Sequence, residues 1–281
     1  MSKRRSRPAR REKARDVFVA RPFEGLPDEV EWVALREIVP AATARVTLAA
    51  GGTATVATVL PLSWPGLVRS DGEVMVGLQV AARSGDVSRD LAAVLVEALA
   101  AEAGTPIGSA GPPGPGPRLQ DLLVPEPLAV DVRGGFSFWL DGGEDPDPEV
   151  AASLERADAA AVPTVRLEAA PAAYWCRMAE RAHLRWVLPT GEDAALDALS
   201  RLYAEDALTL GEGTRYVGAF RAHGLLVPVW DLPVGADAAT WEEPVAALAA
   251  RLDAALADGT PLDASERRVR ETLKSRQVTI R

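Results

Sequence analysis

Residues 109–117 read SAGPPGPGP, a run without one side chain that can pack against a core. Proline fixes φ and lacks an N–H, and glycine loses the most freedom on ordering, so neither helix nor strand continues through it. The 281-residue chain is therefore expected to divide here. An N-terminal α+β domain over 17–106 and a C-terminal α+β domain over 128–264 flank a Pro/Gly-rich linker at 107–127, with a basic tail at 1–16 and a basic segment at 265–281. With 48% hydrophobic residues the chain can supply two modest cores. The alternative is one irregular α+β domain.

Before the linker, Asp28 stands where a helix N-cap belongs, ahead of an apolar-periodic stretch over 29–38 that Pro40 ends. β-branched alternation over 45–48 and 53–60, joined across Gly51-Gly52, predicts a hairpin, and 73–80 predicts a further strand. Asp86 or Ser88 caps an amphipathic helix whose stripe is Leu91, Val94, Leu95, Ala98 and Leu99, stopped by Gly104 and Pro106.

After the linker, short strands are expected at 128–132 and 136–140. An acidic turn at 141–149 ends in a helix capped by Asp147 with Pro148 at its first position. Strands follow at 174–178 and 183–188, then a helix over 192–207 and a hairpin turning at His223-Gly224, with Pro228 placing its return strand at an edge. A last helix over 240–257 carries Val245, Leu248, Leu252 and Leu256, with Thr240 and Glu243 as a capping box.

The two sides echo one another. Glu29-Val30, Val39-Pro40, Val46-Thr47-Leu48, Val59-Leu60-Pro61 and Gly104-Thr105-Pro106 recur in order as Glu149-Val150, Val162-Pro163, Val165-Arg166-Leu167, Val187-Leu188-Pro189 and Gly259-Thr260-Pro261. The expected fold is α+β: two related halves from an internal duplication, with mixed or antiparallel sheets and helices packed on them.

Charge is segregated. Residues 1–15 carry eight Lys/Arg against Glu12, and 266–281 carry six against Glu266 and Glu271; the chain's net is −9, which leaves −20 on residues 16–265. A body that acidic repels a polyphosphate, while short basic ends can tether it to one. The arm residues Lys3, Arg4, Arg5, Arg7, Arg10, Arg11, Lys13 and Arg15 are the candidate polyanion contacts, suited to salt-dependent binding of nucleic acid or ribosome. The plain alternative is a solubilising terminus. The single cysteine, Cys176, excludes an intrachain disulfide and a multi-cysteine zinc site, in keeping with a cytoplasmic protein. No apolar run is long enough for a signal peptide's core or a membrane span.

Chemistry-bearing residues are few. His183 and His223 have no His or Cys three or four positions away, so no metal site is read, and no cofactor motif is present; the Gly211–Arg215 turn lacks the helix and Lys-Ser/Thr of a phosphate loop. Cys176 sits among Tyr174, Trp175 and Met178, where apolar surroundings raise a thiol's pKa, with Arg177 opposing. The densest aromatic and basic interleaving lies at 174–186. Trp175, Arg177, His183 and Arg185 are the candidate pocket for a small molecule, provided that they converge on one concavity. Otherwise they are amphipathic residues of a sheet.

Several segments, among them Arg36-Glu37-Ile38-Val39-Pro40, Arg83-Ser84-Gly85-Asp86, Arg118-Leu119-Gln120-Asp121-Leu122, Ala173-Tyr174-Trp175-Cys176, Ala182-His183-Leu184-Arg185-Trp186 and His223-Gly224-Leu225, carry a further signal. Through them the chain resembles an uncharacterised actinobacterial domain-of-unknown-function family spanning nearly its full length. The resemblance implies no activity. The expected function is that of a non-enzymatic binding or adaptor protein, its tails on an acidic surface and its folded halves on a protein partner.

Overall fold

The computed structural model describes residues 17–108, 111, 113–140 and 146–275. It is an α+β fold with one sheet on each side of a buried helix. That helix, α1 (Glu29–Glu37), buries Val30, Glu31, Trp32, Val33, Ala34 and Leu35. Six consecutive buried positions exceed a turn, so the helix is covered all round. Near its C-terminus Gln79 Nε2 donates to Leu35 O at 2.8 Å and, just beyond the helix, to Val39 O at 2.6 Å.

The first sheet is mixed. Strand β1 (Ala42–Thr47) pairs antiparallel with β2 (Thr53–Ala57) from Thr43–Ala57 to Thr47–Thr53, as the alternation predicts. Gly51 and Gly52, at φ 93° and 89°, make the left-handed turn between them. Then β3 (Gly66–Val68) pairs antiparallel with β4 (Val74–Gly77), and β4 lies parallel to β2. Helix α2 (Val87–Leu99) is capped by Asp86, which accepts from Arg89 N, and lays Leu91, Val94, Leu95 and Ala98 on the core. Leu99, expected on that stripe, is 48% exposed, because it falls just beyond the turn that packs.

The proposed linker takes part in this half. Strand β5 (Pro106–Ile107) pairs with β3, helix α3 (Leu119–Leu122) packs on α2, and β6 (Val130–Val132) pairs antiparallel with β1. The strand order is β5-β3-β4-β2-β1-β6. Residues 128–132, placed by the sequence in the C-terminal half, thus complete the first sheet. Leu119, Leu123 and Leu128 are the reason: each is buried in the core that α1 and α2 share.

Residues 136–140, expected as a strand, form instead a single 3-10 turn over Ser137–Trp139. Phe136 and Trp139, one such turn apart, bury together against Ala41, and Trp139 Nε1 donates to Val59 O at 2.8 Å. Helix α4 (Pro148–Ala160) follows, with Asp147 accepting from Glu149 N at 2.8 Å and Pro148 at its start.

The second sheet is antiparallel throughout, in the order β10-β11-β9-β8-β7. It comprises β7 (Thr164–Arg166), β8 (Ala173–Met178), β9 (Arg181–Trp186), then after helix α5 (Glu192–Ala204) the hairpin β10 (Arg215–Ala222) and β11 (Leu225–Leu232). Pro228 does not put β11 at an edge; β10 is outermost. The missing N–H is tolerated because the ladder between β11 and β9 begins one residue later, at Val229–Arg185. Helix α6 (Glu242–Ala257) buries Val245, Leu248 and Leu252, but Thr240 does not cap it: a 3-10 turn over Ala238–Trp241 leads in. Helix α7 (Ala264–Ser275) packs on α5, and Arg270 reaches Asp197 at 2.5 Å and Asp193 at 2.7 Å. Much of the basic C-terminal segment is therefore part of the fold.

One apolar core runs from the first sheet through α1 to one face of the second, joining Val46, Val56 and Val76 to Tyr174, Val187 and Val227. Another fills the space between the second sheet's far face and α5 and α6. The first sheet is mixed and the second antiparallel, and their strand orders differ, so the fold does not confirm the expected internal duplication. No described helix is long and apolar enough to cross a membrane.

Candidate functional site

In the β8–β9 hairpin, Trp175 pairs with Leu184, Cys176 with His183 and Tyr174 with Arg185. Alternation therefore divides the four candidate pocket residues. Trp175 and Arg177 share the face toward α5 and α6, the guanidinium 5.1 Å from the indole centroid. His183 and Arg185 occupy the opposite face with Cys176. The required convergence does not occur, so these residues form no single pocket.

On their own face, Cys176, His183 and Asp231 lie in one row across β8, β9 and β11, with His183 Nδ1 3.1 Å from Asp231 Oδ1. Burial lowers His183 below the usual imidazole range, against the pull of Asp231, and burial pushes the Cys176 thiol up. The charge of Arg185 and a hydrogen bond with the His183 backbone oppose that rise, whereas Arg177 faces away. Arg185 Nη2 meets Met178 Sδ at 3.1 Å, and Cys176 is 2% exposed. A covered thiol held in its neutral form is no nucleophile.

The buried carboxylate of Glu31 ties α1 to the second sheet. Its Oε1 accepts from Arg166 Nε at 2.9 Å and Ala172 N at 3.0 Å, and its Oε2 from Tyr174 OH at 2.5 Å. Burial, then Glu31, raise the Tyr174 phenol far above its ordinary range. Burial works against the charge of Arg166, but Glu31 outweighs it and the guanidinium's pKa is raised. Every oxygen is satisfied, which fits a structural pin rather than a catalytic acid. At the other end of the helix, Arg36 donates to Leu78 O and to Val80 O, and burial lowers its pKa.

The root of the basic arm is also held by both halves. Val19 N donates to Gly85 O at 2.8 Å, and Arg118 and Gln120 donate to Pro22 O at 2.8 and 2.9 Å. Phe23 is fully buried, 6.0 Å from Trp32 and 5.4 Å from His223 of the β10–β11 turn. A Cβ on Gly85 would meet Val17 O at 2.7 Å, and one on Gly224 would meet Ala20 O at 2.9 Å. Two glycines, one from each half, thus admit the same strip of backbone. The arm residues themselves, Lys3, Arg4, Arg5, Arg7, Arg10, Arg11, Lys13 and Arg15, lie outside the described residues.

Sequence reasoning passed over the outer face of the first sheet. There a recess of about 350 Å³ is lined by Thr43, Arg45, Thr55, Arg69, Glu73, Met75, Asp131, Arg133 and Phe138, among others. The signal was present, since Thr43, Arg45 and Thr47 alternate with core residues along β1. A larger recess of about 530 Å³ beside α6 offers less, because its Arg251 is occupied by the carbonyls of Ala207 and Thr209, at 3.1 and 2.8 Å.

These features define an α+β protein whose halves are pinned through one buried helix and whose basic arm is rooted between them. The chain belongs to the family of unknown function DUF5926, which matches residues 22–281. No curated protein and no solved structure matches it.

Proposed function

We propose that the protein is a non-enzymatic cytoplasmic binding or adaptor protein whose basic arm contacts RNA, free or in the ribosome, while its acidic folded body engages a protein partner. The observation that carries this reading is the charge segregation, eight Lys/Arg in residues 1–15 against a body of net −20 in a chain of net −9. The body repels a polyanion, so contact falls to the arm. Its root supports the reading, because residues 17–23 are held by both halves and a load on the arm is transmitted to the whole fold. The family match covers the chain from residue 22 and so begins after the arm.

The test is a salt titration of RNA binding by the full chain and by a form lacking residues 1–15. Release of counterions predicts a log–log salt dependence that flattens on deletion by up to about 6, from eight cations at ~0.7 each on a single strand. Binding with the same affinity and slope in both forms overturns the proposal.

A further inference from the structure

We propose that the recess on the outer face of the first sheet binds a small organic anion, its negative head on Arg45 and its flat ring against Phe138. The sheet register builds the site. Thr43 and Arg45 on β1, Thr55 on β2 and Met75 on β4 face outward, with Thr43 opposite Asp131 on β6 and Thr55 opposite Met75. Phe138, Leu60 and Trp64 cluster with Met75, whereas Arg45 stays exposed, and Ala129, next to β6, lines the recess with only a methyl.

Charge pairing in the recess leaves one group over. Glu73 accepts from Thr55 Oγ1 at 2.6 Å and from Arg69 at 3.1 Å, and Asp131 is held by Arg133 at 2.5 Å. Arg45 is exposed and its guanidinium makes no hydrogen bond or ion pair among the described residues, in a protein with 40 Asp and Glu. Three arginines against two carboxylates give the recess a net charge of +1. An unpaired guanidinium presents a planar fork that matches a carboxylate or phosphate. Thr43, two residues before Arg45 on the same face of β1, also lines the recess, and Phe138, packed on the buried Met75, supplies the apolar wall that a ring requires.

Size and field narrow the ligand class. A volume of about 350 Å³ lies within the range of small-molecule sites. The surrounding acidic body excludes a polyanion but tolerates a single anionic head placed on a local positive charge. The shared chemistry is one anionic group and one flat ring in the same small molecule, found in a nucleoside monophosphate and in an aromatic carboxylate. The site is independent of the basic arm, so deletion of residues 1–15 leaves it intact.

The experiment is calorimetric titration of the full chain with adenosine monophosphate, benzoate and neutral adenosine, repeated on Arg45→Gln and Arg45→Lys. Saturable binding is expected for at least one anion, with adenosine at least about 10-fold weaker, as loss of a charged partner implies. Arg45→Gln should lose about 10-fold or more and Arg45→Lys an intermediate amount, since it keeps the charge without the fork. Preference for adenosine monophosphate assigns a phosphate ester, and preference for benzoate a carboxylate. Arg45 is exposed, so thermal unfolding of both variants should match the parent. Absence of saturable binding by either anion, or binding indifferent to Arg45→Gln, overturns the proposal.

Discussion

Helices α1 and α4 both carry a Glu-Val pair in their first turn and precede strands of opposite sheets, yet α1 has six buried residues and α4 has none. The contrast shows how little the local sequence of a helix says about its load. Glu31 on α1 is a carboxylate at 2% exposure with three donors, whereas Glu155 on α4 faces solvent. Replacing each by alanine is the sharpest way to break the comparison. Glu31→Ala leaves Arg166 and the Tyr174 hydroxyl without their carboxylate and should cost about 3–5 kcal/mol. Glu155→Ala should stay within about 0.5 kcal/mol. Urea unfolding measures both, and similar values would dissolve the distinction between the helices.

Gly224 and Gly85, which admit the root of the arm from opposite halves, differ in kind. Gly224 has φ 79° as well as the close approach of Ala20 O, while Gly85 has only the approach of Val17 O. Gly224→Ala should therefore lose about 1–3 kcal/mol through backbone strain alone, with further loss from the clash. Gly85→Ala should cost less. Protease cleavage within residues 17–23 should rise in the same order.

The smallest expected effect is one of pH, and it belongs to the second half, which holds both histidines. Because His183 is depressed below 6.5 in the fold, the unfolded chain binds its proton first as pH falls. Its contribution is complete above about pH 6.5 and is lost as pH drops through the folded value. Chemical unfolding at a series of pH values should show His183→Gln with a flatter decline over that window than the parent. An unaltered decline would place the proton elsewhere.

Much of the fold was legible. The hairpin across Gly51-Gly52, the Asp86 and Asp147 caps and the His223-Gly224 turn appear where the residues place them, because each depends on neighbours in sequence. Asp28 misled in part: it stands at the N-cap at φ 53°, but its side chain makes no capping bond, and its carboxylate accepts instead from Leu128 N at 2.9 Å, a hundred residues on. The 3-10 turn at Ser137–Trp139 misled for a related reason, since Phe136 N is drawn to Asp158 Oδ1 at 2.7 Å. The aromatic and basic interleaving at 174–186 was real, but a period of two divides it between two faces. The recess around Arg45 was harder to see because its walls come from β1, β2, β4 and β6, and only pairing shows which arginine lacks a partner.

By itself the sequence determined most of the longer elements, several turns and caps, the family and the segregation of charge, since these follow from local periodicity and composition. The tertiary structure alone decided that α1 is enclosed by both sheets, that β5 and β6 complete the first sheet, and that the Arg45 side chain is left unpaired. The physical reason is that burial and charge compensation are properties of surfaces brought together from distant segments. A Glu-Val helix start reads the same whether its carboxylates meet water or, like Glu31, a tyrosine and an arginine from the other half.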